Sequence, residues 1–276
     1  MHNIAIQGYE GSFHHEAALK VFGKNITIVP CPNFRTLVKL TQQDATITGA
    51  VMAIENSIAG SILPNYALLK NSKLVVVGEI YLHIAQQLLV NKGVQLANIK
   101  EVHSHPMALL QCVNVIDKYK FKAVETDDTA LSAKHIAQYK TKHIAAIASK
   151  FAAKLYNLNI AIPNVQDVKN NFTRFLVLQK NNKLAVNNNA NKASFYFKTN
   201  HQVGSLYKVL QLISEAGINL TKLQSSPILE TPFKYLFYAD VTFTNVTIFN
   251  TVMLQLKNIT NELNIYGIYT KAAKQF

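Results

Sequence analysis

The chain has 276 residues, a length suited to two domains. Hydrophobic residues make up 49% and charged residues 16%, which excludes a disordered polymer, and no apolar run reaches the roughly 18–20 residues that a membrane helix needs. The formal charge is +13, but it is carried almost wholly by scattered lysines. Arg35 and Arg174 are the chain's two arginines, and without the bidentate guanidinium fork or a run of like charges neither nucleic acid nor a membrane surface is expected as a partner. A positive field of this kind would instead help gather a small anion. The opening MHNIAIQGYEGSF lacks a basic-then-apolar signal pattern, and Cys31 and Cys112 form no disulfide framework or zinc spacing, so a soluble cytoplasmic protein is expected.

In chain order, Ile4–Gln7 reads as a strand, Gly8–Gly11 as a turn and His14–Phe22 as a helix. A strand at Asn25–Pro30, a helix at Phe34–Gln42, a buried strand at Ala50–Ile54, a helix at Leu63–Leu69 and a strand at Leu74–Gly78 follow. This alternation predicts an α/β layer with a largely parallel sheet. Ile80–Val90 reads as a long strand crossing to a second lobe. That lobe has a strand near Val102, helices at Met107–Tyr119 and Thr129–Gln138, a strand at Ala145–Ala148 and a helix to Tyr156. The chain returns through Asp167–Asn171 into a strand at Arg174–Gln179. Two α/β lobes joined in this way imply a ligand cleft between them.

Lys180–Lys192 is rich in asparagine and without periodicity, and it reads as a linker. Beyond it lie a strand at Ala193–Lys198, a helix at Ser205–Glu215, strands at Asn219–Gln224 and Tyr235–Thr242, a helix at Ile248–Ile259 and a strand at Leu263–Thr270. The order βαββαβ predicts a ferredoxin-like α+β sandwich whose sheet edge could pair with another copy.

Four polar segments at strand ends could carry chemistry. Gly8–Phe13 joins the first strand to the first helix, where glycine lets backbone approach a ligand and Ser12 can cap the helix. Glu55-Asn56-Ser57 ends a buried strand, the place where open α/β sheets bind ligands. His103-Ser104-His105-Pro106 leads into a helix whose N-terminal N–H groups could receive an anion, and its two histidines lack a third ligand at metal spacing. Asn170–Phe175 places Thr173 and Arg174 together, a hydroxyl beside a group able to clamp a carboxylate.

Taken in order, these segments resemble the prephenate dehydratase family. The glycine turn matches Gly8–Phe13, the E-N-S-x-x-G segment Glu55–Gly60, and the S-H-P-x-A-L-x-Q-C segment Ser104–Cys112, with Met107 where the family usually has Gln. D-T-A is found at Asp128–Ala130, A-A-I-A-S at Ala145–Ser149 and N-x-T-R-F at Asn171–Phe175. The last 84 residues resemble the ACT regulatory domain, with Gly204-Ser205-Leu206 similar to its G-A-L and Asn219–Lys222 to its N-L-T-K. Its E-S-R-P signature is altered to Gln224-Ser225-Ser226-Pro227, which implies weaker control.

The resemblance implies a two-lobed, periplasmic-binding-protein-like catalytic domain over residues 1–181, with lobes of roughly 1–78 plus 160–181 and 79–159. A linker over 182–192 and an ACT domain over 193–276 would follow. The implied reaction is the decarboxylating dehydration of prephenate to phenylpyruvate in phenylalanine synthesis, by a lyase with no cofactor and no metal. Thr173 is implied as the acid assisting the leaving hydroxyl and Arg174 as the carboxylate anchor, so that Arg174→Lys would chiefly raise KM. Asn56, Ser57, Ser104, Ser12 and Asn171 are implied as the remaining substrate donors. L-Phenylalanine is implied as an effector bound near Gly204, Ser205, Leu206, Asn219, Leu220, Ser225, Ser226 and Pro227, in a homodimer or homotetramer. The alternatives are an arogenate dehydratase, a non-catalytic protein binding a small anion, or a sensor with a decayed site.

Overall fold

The computed structural model describes residues 2–180, 189–228 and 234–273. The first lobe contains β1 (His2–Gln7), α1 (Phe13–Phe22), β2 (Ile26–Cys31), α2 (Phe34–Gln43), β3 (Ile47–Asn56), the short β4 (Gly60–Ser61), α3 (Leu63–Lys70) and β5 (Leu74–His83). The second has β6 (Gln86–Val90), β7 (Glu101–Ser104), α4 (Pro106–Leu110), α5 (Val113–Tyr119), β8 (Lys122–Glu125), α6 (Thr129–Gln138), β9 (Ile144–Ser149), α7 (Lys150–Leu155) and β10 (Asn159–Ile162). The chain then re-enters the first lobe as β11 (Phe172–Lys180). β3 is buried along most of its length rather than on alternate residues, because α1 packs on one face of its sheet and α2 and α3 on the other. Polar caps start several of the helices, among them Ser12 for α1, Asn33 for α2, Asp128 for α6 and Ser149 for α7.

Both lobe sheets are mixed rather than largely parallel. The orders are β2-β1-β3-β11-β5 and β10-β6-β9-β7-β8, and in each the strand arriving from the other lobe runs against its neighbours. β11 is antiparallel to β3 and β5, and β6 is antiparallel to β9 and β10. A strand that enters from the cleft side must run away from it, whereas the strands built within each lobe run towards it. The long crossing strand expected over Ile80–Val90 is broken: β5 ends at His83 and β6 begins at Gln86. Beside the break, the Ile84 N–H donates to the Asn171 carbonyl at 2.7 Å, so the outgoing and returning crossings lie side by side. β10 pairs with β6 and belongs to the second lobe, which corrects the expected return to the first lobe at residue 160. The helix expected over Met107–Tyr119 is two helices, because the backbone leaves helical geometry at Cys112 and the Asp167 carboxylate accepts from the N–H groups of Val113 and Asn114.

The C-terminal domain comprises β12 (Lys192–Lys198), α8 (Ser205–Glu215), β13 (Asn219–Pro227), β14 (Tyr235–Thr242), α9 (Val246–Ile259) and β15 (Glu262–Tyr269). Its four strands are ordered β13-β14-β12-β15 and all neighbours are antiparallel, the ferredoxin-like arrangement. One face of the sheet forms a core with α8 and α9 around Phe195, Phe197, Val209 and Phe249. The other face packs on the first lobe, where Tyr196, Tyr238, Tyr266 and Tyr269 share one apolar core with Tyr66, Leu69, Leu74 and Val76. Much of the expected linker, 181–188, lies outside the described residues. Lys192, expected as its last residue, instead opens β12 and is buried, because its ammonium bonds both carboxylate oxygens of Glu79 at 2.9 and 2.7 Å.

Candidate active site

Adjacent residues on a strand point to opposite faces of the sheet, and directly paired residues share a face. In the β3–β11 ladder Thr173 pairs with Asn56 and Arg174 with Glu55. Asn56 and Thr173 therefore lie on the face covered by α1, and Glu55 and Arg174 on the face covered by the C-terminal domain. Asn56 ends β3 at the edge facing the second lobe. Its carboxamide oxygen accepts from the N–H groups of Ile58 (3.0 Å) and Ala59 (2.9 Å), which fixes the side chain. The Asn56 nitrogen then donates to the Thr173 hydroxyl at 3.0 Å and to the Asn171 carboxamide oxygen at 2.7 Å. Asn171 is fully buried and donates in turn to the Gln111 side-chain oxygen at 3.1 Å, which carries the chain of amides into the second lobe.

Around the same cleft, Ser57 accepts from the Phe172 N–H at 2.9 Å and holds the returning segment. Ser149 and Tyr156 of the second lobe donate to the carbonyls of Gly11 (2.9 Å) and Glu10 (2.6 Å) in the first. Gly8, at φ +86°, admits the Asp128 carboxylate so closely that a Cβ there would sit 2.5 Å from its Oδ2. An interlobe cavity of about 520 Å³ is lined here by Gln7, Tyr9, His105 and Asp128. Burial raises the Asp128 carboxyl above its ordinary range, against the N–H groups of Leu131 and Ala130 that favour its anion.

On the opposite face, Arg174 is 4% exposed and each of its three nitrogens donates to a side chain. Nε donates to Glu79 at 2.7 Å, Nη2 to the Tyr269 hydroxyl at 2.9 Å, and Nη1 to Asp240. Burial alone would raise the Asp240 carboxyl, but Arg174 and then the Ser194 hydroxyl outweigh it and hold it below the usual range. For Lys192, burial and the nearby Arg174 outweigh the Glu79 carboxylate, and the ammonium is easier to deprotonate than usual. Beside this cluster Lys222 donates to Glu55 at 2.6 Å and to Ser61 at 2.7 Å.

The model of the family described as "PDT: Prephenate dehydratase" matches residues 4–183. The chain belongs to the prephenate dehydratase family. It is 39% identical over 246 residues to arogenate dehydratase/prephenate dehydratase 2, chloroplastic, of Arabidopsis thaliana, covering 86% of this chain and 64% of that protein. To the bifunctional chorismate mutase/prephenate dehydratase of Buchnera aphidicola from Acyrthosiphon pisum it is 34% identical, over 97% of this chain and 70% of that one. The chain thus spans about two thirds of the length of these relatives. Among solved structures, prephenate dehydratase from Staphylococcus aureus Mu50 matches with a TM-score of 0.83 at 27% identity, over 98% of this chain and all of that one. GqqA, described as a novel type of quorum quenching acylase, matches with a TM-score of 0.87 at 29% identity over 98% of both chains. The mixed α/β fold is that of the solved prephenate dehydratases.

The structure brings Asn56, Asn171, Ser57 and Thr173 together, and Arg174 lines, with Asn56 and Ser57, a cavity of about 340 Å³ on the side of the C-terminal domain. Its guanidinium is nine-tenths buried and bonded to Glu79, Asp240 and Tyr269, rather than extended as the free carboxylate clamp expected there. Ser104 is also corrected as a pocket donor: it is fully buried and its hydroxyl donates to the Ile147 carbonyl at 2.6 Å. Ser12 is 4% exposed and accepts from the His15 N–H as the cap of α1. His105 accepts from the Met107 N–H and occupies the start of α4 itself, where an anion was expected.

In the C-terminal domain Gly204, Ser205 and Leu206 open α8, while Asn219 and Leu220 start β13 and Ser225, Ser226 and Pro227 end it. Asn219 pairs with Thr242 and Ser226 with Leu236, which oppose Lys192 and Lys198 at the two ends of β12. About 23 Å of extended strand therefore separates Asn219 from Ser226 within one chain. Sequence reasoning passed over Gln111, Glu79, Asp240 and Lys222. Gln111 and Lys222 lie within motif segments already quoted, whereas Glu79 and Asp240 sit inside apolar strands with no local signal beyond a charge where a core residue is expected.

Proposed function

We propose that the chain is a prephenate dehydratase, converting prephenate to phenylpyruvate, carbon dioxide and water. The observation that carries this reading is the Thr173 hydroxyl, fixed by the Asn56 amide at the junction of the lobes. In the reaction the bond to the ring carboxylate breaks and leaves as CO2. Its electron pair enters the ring, the carbon–oxygen bond to the 4-hydroxyl breaks, and one proton completes the departing water. Because the ring becomes aromatic, the step needs positioning and a modest proton donor. The Thr173 oxygen accepts from Asn56, which polarises its O–H and leaves that proton to point at the leaving group. Asn171 holds Asn56 and is itself bonded to Gln111 of the second lobe, so groups from both lobes fix the donor. The test is formation of phenylpyruvate from prephenate by the purified chain, with arogenate assayed in parallel. Absence of product from both would remove the reading and favour a binding protein.

Arogenate is the second reading. The Arabidopsis relative bears both names, and the Asp128 carboxylate on the cleft wall offers the acceptor that an ammonium would need. Acylase chemistry is less well supported, since the partner of the Thr173 hydroxyl is an amide, which cannot take up its proton.

The C-terminal sandwich reads as an ACT domain that lets phenylalanine control turnover. β13 is an edge strand among the described residues, paired with β14 alone. Two copies of β13 pairing antiparallel about a twofold axis would set Asn219–Leu220 of one chain beside Ser225–Pro227 of the other, near the Gly204–Leu206 turn. A homodimer thus assembles the three segments that one chain keeps apart, and the effector would sit between subunits. Cytoplasmic location stays part of this proposal.

A further inference from the structure

Thr173 and Arg174 are neighbours on β11, and Asn56 and Glu55 are their paired neighbours on β3. One side chain of each pair faces the candidate reaction centre and the other faces the C-terminal domain. We infer that Arg174 and Glu55 are positioning residues through which the docked C-terminal domain holds Thr173 and Asn56 in register. The inference rests on the dehydratase reading for its kinetic consequence, though not for its structural one.

Two separate links make the connection. Arg174 reaches Asp240 on β14 and Tyr269 on β15, and Ser194 on β12 bonds both of those groups. Glu55 reaches Lys222 on β13, and the same ammonium holds Ser61, which closes the loop carrying Ser57. Three strands of the C-terminal sheet thus bond one β3–β11 ladder step directly, and the fourth, β12, braces two of those bonds through Ser194.

The chemistry of the junction fits positioning better than adhesion. Adhesion is already supplied by the apolar tyrosine face. Replacing a buried ion cluster by apolar side chains usually costs no stability and often adds it, so ions are a poor choice for glue alone. Apolar faces tolerate a sideways slip of an ångström, whereas a guanidinium bonded to three groups does not. The cluster is also balanced, with Arg174 and Lys192 against Glu79 and Asp240. Beside it a cavity of about 340 Å³, lined by Asn56, Ser57 and Tyr81 on one side and Thr221, Lys222 and Lys271 on the other, leaves the ladder's end supported by these side chains rather than by solid packing. A shift of the C-terminal domain would therefore be felt first at Arg174 and Glu55, one residue from the groups that act.

The experiment compares the full chain with Asp240→Asn, with Asp240→Asn/Lys192→Met and with Lys222→Met. It measures melting temperature, kcat and KM for prephenate, and hydrogen exchange of peptides spanning 55–61 and 171–175. Asp240→Asn leaves an unbalanced buried cation and should lower both the melting temperature and kcat. Adding Lys192→Met restores neutrality, so the melting temperature should recover while kcat stays down by about tenfold or more, with KM changed less than about threefold. Lys222→Met should lower kcat with little change in melting temperature, and all three variants should exchange faster in both peptides. Wild-type kcat and wild-type exchange in the neutral double variant and in Lys222→Met would overturn the inference. A wild-type chain that fails to turn over prephenate would defeat the functional reading alone, because exchange still decides whether the links hold the ladder.

Discussion

Gly267 gives a direct test of how the C-terminal domain is seated. It lies in ordinary strand backbone on β15, with no positive φ to demand glycine, yet a Cβ there would lie 1.8 Å from the Val76 carbonyl oxygen. The same atom would be 2.7 Å from the Val76 carbonyl carbon and 2.9 Å from its Cβ. Glycine is needed because β15 crosses β5 backbone against backbone. In Gly267→Ala the strands must part by about 1.6 Å to reach the 3.4 Å of ordinary contact. Neither obstacle is a flexible side chain, so the cost belongs at the upper end of overpacking, about 3 kcal/mol or more. The strain falls two residues from Tyr269, whose hydroxyl bonds Arg174, so the ion cluster should loosen with it. For a chain of this size the melting temperature should drop by about 6–12 °C, or an early transition of the C-terminal domain should separate. Differential scanning calorimetry reads both outcomes. A single transition within about 2 °C of wild type would refute the account of the crossing and the seating of the domain derived from it.

Thr173→Ala should lower kcat by about a hundredfold with little change in KM, and Thr173→Ser should keep much of the rate; steady-state kinetics showing equal turnover in the alanine variant would remove Thr173 as the proton donor. Arg174→Lys should now act on stability and kcat rather than chiefly on KM, because breaking a buried ionic network costs about 3–5 kcal/mol; a raised KM at unchanged melting temperature would reinstate the substrate clamp. His14 should make stability fall in acid. Its ring lies between Phe34 and Phe175, its Nε2 accepts from the Ala53 N–H at 3.3 Å, and burial lowers its pKa from 6.5 to about 3. The unfolded chain binds the proton first, so the contribution is complete above about pH 6.5 and is lost as pH falls towards 3. Between pH 7 and 5 the loss is up to about 2 kcal/mol, and urea unfolding of His14→Gln should show that much less pH dependence. Leu223→Lys, at a half-exposed site on the β13 edge, should convert a dimer to monomer in light scattering; a wild-type chain that is already monomeric at micromolar concentration would refute the edge pairing.

Much of the fold was legible because its elements are locally marked. The helix at Ser205–Glu215 and the strand at Tyr235–Thr242 match expectation at both ends, since apolar spacing and flanking turn residues bound them. Three strands went unread: Gly60–Ser61 is two residues long, Lys122–Glu125 is mostly exposed with no alternation, and Asn159–Ile162 is too short to show a period. The break after His83 left no trace either, because Ile84 and Ala85 are as apolar as the strands they join. At the site, Asn56, Ser57, Asn171 and Thr173 were found by motif and do converge. The partners of Arg174, Glu79 and Asp240, were not, as the reason for a buried carboxylate lies more than 60 residues away in both cases.

That Arg174 and Thr173 take different faces has a more specific cause. With the last strand of the first lobe expected to start at residue 174, Thr173 belonged to a loop, and a loop residue and its neighbour can both face a cleft. β11 in fact starts at Phe172, two residues earlier, and pairs on both sides from Thr173 onward. Inside a doubly paired strand, alternation is enforced, and Thr173 and Arg174 cannot serve the same face. The scarcity of arginine did signal purpose, but the purpose is set by which face the second residue of the pair must take. That face belongs to the C-terminal domain, which is why the guanidinium meets Glu79, Asp240 and Tyr269 while the neighbouring hydroxyl meets Asn56.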